Sequence, residues 1–197
     1  MPRSRQPVTA EEFVELSSDG QKADLLDGVI YVASPDSPET AEVNVFLTAL
    51  LDYFVRKFRL GKIYGPRSAF RLSRTYAPEP DIAFVRAERL HFWKGSIFQG
   101  ARDVAVEIVA PDSVERDTTT KRATYDKAGV SEYWLVNLIE RRCVFLRLEK
   151  GKYREATLES GSIFQSQAIP RFWLDTAWLL ADETPPPDEC LGKILEL

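Results

Sequence analysis

Histidine and cysteine are scarce: His91, Cys143 and Cys190 are the whole supply in 197 residues. One imidazole cannot build a His-rich metal centre, and any Ser-His-Asp scheme would have to use it. His91 stands in His-Phe-Trp-Lys-Gly, which reads as a loop with aromatic anchors and carries no triad motif. Two cysteines in this setting suggest neither a disulfide framework nor a thiolate zinc cluster. Also missing is any window approaching the ~20 apolar residues that span a bilayer. The first twelve residues lack the apolar stretch of a secretory signal, so a soluble cytoplasmic protein with no membrane partner is expected. Nor is there an excess of positive charge. The 26 basic and 30 acidic side chains give −4, which argues against coating nucleic acid or anionic membrane by bulk charge.

What is present is enough for a folded core. Hydrophobic residues make up 44% and aromatics 11%, and the length favours one domain. That domain is expected over 1–184, with Pro185-Pro186-Pro187 opening a loose tail over 185–197. Thr9 and Glu12 form a capping-box pattern for a helix over 10–17. Residues 22–33 read as a β-hairpin turning at Asp27-Gly28. Ser37-Pro38 then opens a helix to about residue 59, because Val43, Phe46, Leu47, Leu50, Leu51, Phe54 and Phe58 recur at helical spacing. Strands are expected at 62–65, 68–73, 80–86, 104–110, 132–138, 142–149 and 152–158. A loop spans Arg89 to Gly100, a helix covers 114–128 and stops at Gly129, and a short helix covers 173–181. This order makes the fold α+β with a mixed sheet.

Two acids stand out by their surroundings. Asp81 opens the apolar strand Asp-Ile-Ala-Phe-Val, and Glu107 interrupts Val-Ala-Val-Glu-Ile-Val. A carboxylate inside such a run costs several kcal/mol unless an ion, a partner or a shifted pKa compensates. On adjacent strands the two would meet across a divalent cation such as Mg2+; alternatively, Glu107 pairs with a buried arginine or lysine. Lys121 follows on the helix, one turn before Tyr125 and on the same face. It points to the sheet if Tyr125 packs inward, and is otherwise a solvated charge. Basic residues also cluster. Between Tyr53 and Pro78 lie Arg56, Lys57, Arg59, Lys62, Arg67, Arg71 and Arg74 with no acid, a stretch of +7 that leaves −11 on the rest. Such a strip beside Asp81 suits a polyanion, although helix-end complementarity accounts for part of it.

The order Pro80-Asp81-Ile-Ala-Phe-Val, Val106-Glu107-Ile-Val-Ala-Pro-Asp-Ser, Asp117, Lys121, Tyr125, Gly129-Val130 and Glu132-Tyr133-Trp134-Leu-Val resembles the Uma-two (Uma2) family of the PD-(D/E)XK nuclease superfamily, over roughly residues 8–181. The resemblance implies a restriction-endonuclease-like mixed sheet flanked by helices, with the hairpin at its N-terminal side. It further implies phosphodiester hydrolysis with Mg2+, or Mn2+ in its place, on nucleic acid and preferentially DNA. Carried over, Asp81 matches the Pro-Asp acid and Glu107 the second metal-binding acid, with the Ile108 carbonyl completing the coordination. The lysine usual two residues after the second acid is replaced by Val109, and Lys121 matches a helix lysine that takes its place. Asp24 stands where the family usually has glutamate and is either a minor site acid or part of the hairpin. The family's histidine near the start of the long helix is absent, and Asn137 replaces an aspartate. Arg67, Arg71 and Arg74 are the expected nucleic-acid contacts, and the strands over 132–158 suit a homodimer. The alternatives are a catalytically inactive nucleic-acid-binding or assembly protein with the same fold, and a metal-free hydrolase using Asp81 and Glu107 as acid and base.

Overall fold

The computed structural model describes residues 6–17 and 20–196. Thr9 caps α1 (Ala10–Leu16), and the reciprocal bond from the Thr9 amide to the Glu12 carboxylate, 2.8 Å, completes the capping box. Strands β1 (Ala23–Leu26) and β2 (Val29–Val32) pair antiparallel. Between them Asp27 and Gly28 have φ of 50° and 75°, the doubly left-handed turn whose twist matches a hairpin. A Cβ on Gly28 would lie 2.3 Å from the Pro7 side chain, so glycine is demanded twice over. The Ser37 hydroxyl accepts from the Thr40 amide at 3.1 Å and starts α2 (Pro38–Lys57).

Strands β3 (Gly61–Tyr64), β4 (Ala69–Arg71) and β5 (Ile82–Arg86) follow. The segment read as a loop between Arg89 and Gly100 is more ordered than expected: a 3-10 turn over Ala87–Phe92 leads into β6 (Trp93–Lys94) and β7 (Ile97–Gln99). Phe70, Trp93 and Phe98 pack together there and fix the chain. After β8 (Val104–Ile108), the expected uniform helix is instead a π-helical stretch, Arg116–Lys121, continuing into α3 (Arg122–Ala128). Gly129, at φ 81°, ends it as expected. Strands β9 (Glu132–Asn137), β10 (Arg142–Glu149) and β11 (Lys152–Glu155) come next, then β12 (Ile163–Gln165) and β13 (Trp173–Asp175).

Two C-terminal expectations are corrected. The short helix of 173–181 is a strand, β13, followed by one turn, α4 (Thr176–Leu179). The proline-rich tail of 185–197 contains α5 (Pro187–Leu195), whose Cys190, Leu191 and Ile194 are buried. Proline at the first helical position begins this helix rather than breaking it.

The central sheet has the order β11-β10-β9-β8-β5-β3. Only β8 and β9 run parallel, so the crossover between them carries the π-helical stretch and α3. Period-2 alternation sorts the strands between two layers. Ile82, Phe84, Val104, Val106 and Ile108 join the core formed with α2 and α5. Ala105 and Val109 face the opposite layer with Tyr125 and Tyr133, so Glu107, between them in the alternation, belongs to that second face. Each apolar side chain buried along α2 contributes about 1.5–3 kcal/mol. Among the described residues no helix is long and apolar enough to cross a membrane.

Candidate active site

Strands β5 and β8 pair antiparallel with Ile82 opposite Val106. One residue further along, Asp81 and Glu107 are neighbours on the face away from α2. Both are buried, at 6% and 1% exposure. The Ile108 amide donates to Asp81 Oδ2 at 2.8 Å, and the Tyr125 hydroxyl donates to Glu107 Oε1 at 2.9 Å. Each carboxylate is thus oriented by one fixed donor and turns its other oxygen toward cations.

Those cations are two lysines. Lys121, on the helix behind Glu107, is 1% exposed; its Nζ lies 2.8 Å from Asp24 Oδ2, 3.0 Å from Glu107 Oε2 and 3.4 Å from Asp117 Oδ1. Lys22, just before β1, lies 2.5 Å from Asp81 Oδ1 and 3.8 Å from Glu107 Oε2. The hairpin is stapled over the site by Glu79. Its carboxylate accepts from the Ala23 amide at 3.0 Å, while its own amide donates to Asp24 Oδ1 at 2.9 Å. The Ser113 hydroxyl donates to Asp117 Oδ2, and Arg116 approaches Asp24 at 3.7 Å.

These groups line one cleft. Its acids are Asp24, Asp36, Asp81, Glu107, Asp112 and Asp117, and its bases are Lys22, Arg116 and Lys121. Burial raises the Glu107 carboxyl above its ordinary value, and the Lys121 and Lys22 ammoniums pull against that. Burial acts on Asp24 in the same direction, yet Lys121 and Lys22 outweigh it and leave Asp24 lowered. Burial alone would lower Lys121, but Asp24 and Glu107 hold it well above the usual lysine range. Glu79 is pushed up to about 7, chiefly by burial, despite its bond from Ala23.

Asp81, Glu107, Ile108 and Lys121 are therefore brought together. Asp24, balanced above between site and hairpin, serves both. Arg67, Arg71 and Arg74 are not among the residues lining the cleft; Arg71 pairs with Glu11 of α1 instead. Asn137 caps the turn after β9 by accepting from the Glu140 amide at 3.0 Å. His91 is exposed beside Phe92. Lys22 was overlooked by the reading of the sequence, although a signal existed: it stands two residues before Asp24, on the same face at the strand period.

Another buried acid shows what distinguishes this pair. Glu132 is equally buried, but it accepts from Trp134 Nε1, the Ser166 hydroxyl and the Gln167 and Ala168 amides at 2.6–3.2 Å. It is saturated by these four neutral donors, with Arg147 at 3.6 Å as a charged neighbour, and makes structure. Asp81 and Glu107 face ammonium groups in an open cleft. Hard carboxylate oxygens with a main-chain carbonyl suit Mg2+, which takes one or two carboxylates and completes its shell with water and phosphate. A positive group, the Lys22 ammonium, already rests on them, so the donor set fits a cation. Among the described residues no three acids, histidines or cysteines converge as a preformed metal cage.

A family model described as Uma2, putative restriction endonuclease, matches residues 10–177. The chain is also similar to a crystal structure titled as a putative nuclease belonging to DUF820 from Anabaena variabilis ATCC 29413. The TM-score is 0.75 and the identity 17%, covering 88% of this chain and 98% of that one. At that identity the likeness is one of fold. No curated protein matches.

Proposed function

Because this chain belongs to the Uma2 family of putative restriction endonucleases, we propose that it is a metal-dependent endonuclease hydrolysing phosphodiester bonds in nucleic acid, with DNA as the preferred polymer. The observation that carries this reading is the juxtaposition of Asp81 and Glu107 on neighbouring strands, with Lys121 against Glu107 in the same cleft. Asp81, Glu107 and the Ile108 carbonyl would hold Mg2+ or Mn2+. When bound, such a cation supplies Lewis acidity toward a phosphoryl oxygen and lowers the pKa of water.

The protein's own groups do the rest. The Ile108 amide and the Tyr125 hydroxyl orient the two carboxylates. Lys121 opposes the effect of burial and favours ionised Glu107, while adding fixed positive charge where the phosphate gains negative charge. Arg116, on the cleft wall, would position a backbone phosphate. Arg67 and Arg74 would meet flanking phosphates outside the cleft, and Arg71 would do so only on leaving Glu11.

Asp81→Asn tests the reading directly. Initial cleavage rates on single- and double-stranded DNA and RNA with Mg2+ should fall by more than about 100-fold, the scale on which metal-site residues act. Cleavage that persists in Asp81→Asn, or survives a chelator, overturns it. The chelator arm also separates it from a metal-free acid–base hydrolase.

A further inference from the structure

Lys22 has no part in the reaction just described, yet it occupies the most consequential position in the cleft. Its Nζ lies between Asp81 Oδ1, at 2.5 Å, and Glu107 Oε2, at 3.8 Å. The second oxygen of each acid is taken by Ile108 or Tyr125. The ammonium therefore occupies the space in front of the two acids that a cation held by them would need.

The two lysines are held very differently. Lys121 touches three acids and is 1% exposed, whereas Lys22 has one close partner and a side chain 22% exposed. The root of Lys22 is fixed, because its carbonyl accepts from the Ala33 amide at 2.9 Å and the next residue is held by Glu79. Its tip is on a flexible four-carbon stem with an exit to water. Six acids and three bases line the cleft, a formal balance of −3. Withdrawing the Lys22 ammonium makes it −4, so the cleft attracts a divalent cation more strongly once Lys22 has left.

We propose that Lys22 is a resident counter-ion of the Asp81–Glu107 pair, which a divalent cation must displace, and that it thereby sets the metal affinity of the site. Without metal it compensates Asp81, as Lys121 compensates Glu107, where two buried carboxylates meet. With metal, the cation and the Lys22 ammonium repel each other across Asp81 Oδ1, so metal binding is weakened by the work of breaking the Lys22–Asp81 pair. The inference rests on the metal-dependent reading above and concerns Lys22 alone.

Mn2+ binding to the purified full chain, followed by electron paramagnetic resonance of the free ion, tests it without reference to cleavage. Lys22→Met keeps the length of the stem and removes the charge. It should bind Mn2+ more tightly by about ten- to a hundredfold, the range over which residues around metal ligands tune affinity. Lys22→Arg, which keeps the charge, should bind no more tightly than the wild type. Equal or weaker binding by Lys22→Met, with wild-type binding still lost in Asp81→Asn, overturns the role of Lys22 and leaves the metal site standing. Absence of Mn2+ binding in both wild type and Lys22→Met overturns both. A measurement on unaltered protein guards against a folding defect: Mg2+ should raise the rate at which Lys22, but not Lys121, is acetylated by limiting reagent, as mapped by mass spectrometry. An unchanged Lys22 rate overturns the proposal.

Discussion

Lys121 carries three carboxylates on one ammonium. With Asp24, Glu107 and Asp117 all within 3.4 Å of its nitrogen and almost no exposure, it offsets part of the charge of three clustered acids, Lys22 and Arg116 contributing at longer range. Removing one partner of a buried ion pair strands the other charge and costs about 3–5 kcal/mol. Lys121→Met should therefore lower the unfolding free energy by that amount in urea titrations. A loss below about 1 kcal/mol would show that the three acids find protons or water instead. The sequence marked Glu107 as unusual because an acid interrupts an apolar strand. Glu132, ahead of Tyr-Trp-Leu-Val, presents a similar mark and has a structural role. The partners separate them: four hydroxyl, indole and amide donors hold Glu132, with the Arg147 guanidinium further off at 3.6 Å, whereas Glu107 has one hydroxyl and two ammonium groups. Partners come from distant segments, so that distinction was not legible from the local pattern.

At the scale of elements, the β5–β8 register sets Asp81 beside Glu107, and the helix after β8 supplies the cation. The spacing of Lys121 and Tyr125 by four residues correctly indicated a shared inward face; both are buried. What the spacing did not reveal is the π-helical turn from Arg116 to Lys121. Within it the Asp117 carbonyl accepts from the Tyr133 hydroxyl at 2.9 Å, while its side chain accepts from Ser113. A π-turn holds one more residue than the α-helix it interrupts and frequently marks functional sites. Deleting Thr119 should restore a regular α-helix, in which the Asp117 carbonyl is taken up by the helix ladder and withdrawn from the Tyr133 hydroxyl. We expect retained far-ultraviolet circular dichroism with cleavage lost. Undiminished cleavage would mean that the π-turn plays no part in assembling the site.

Across the whole molecule, α5 closes the layer formed by α2 and the sheet. Leu191 and Ile194 belong to the same core as Val43, Phe46 and Leu50, and each contributes about 1.5–3 kcal/mol by burial. Ending the chain at Thr184 should lower the urea midpoint and expose apolar surface to a hydrophobic dye; an unchanged midpoint would make α5 dispensable. Charge, too, is a property of the whole. The total of −4 concealed both the basic run over 53–78 and an acidic cleft, and the run is partly spent on Arg56–Asp52 and Arg71–Glu11 pairs.

The sequence by itself indicated most of the local elements and singled out Asp81, Glu107 and Lys121. Capping residues, the Asp27-Gly28 turn, the α2 periodicity and the apolar runs around Asp81 and Glu107 act over a few residues and can be read there. The tertiary structure alone decided that Lys22 and Asp24 join the cleft from the hairpin, that Arg71 is drawn away to α1, and that the C-terminal segment is core. Those outcomes depend on contacts between segments far apart in the chain, whose energies appear only when the sheet and its two layers are assembled. The scarcity of histidine and cysteine thus left carboxylates and basic side chains to line the cleft, and the fold chose which of them meet.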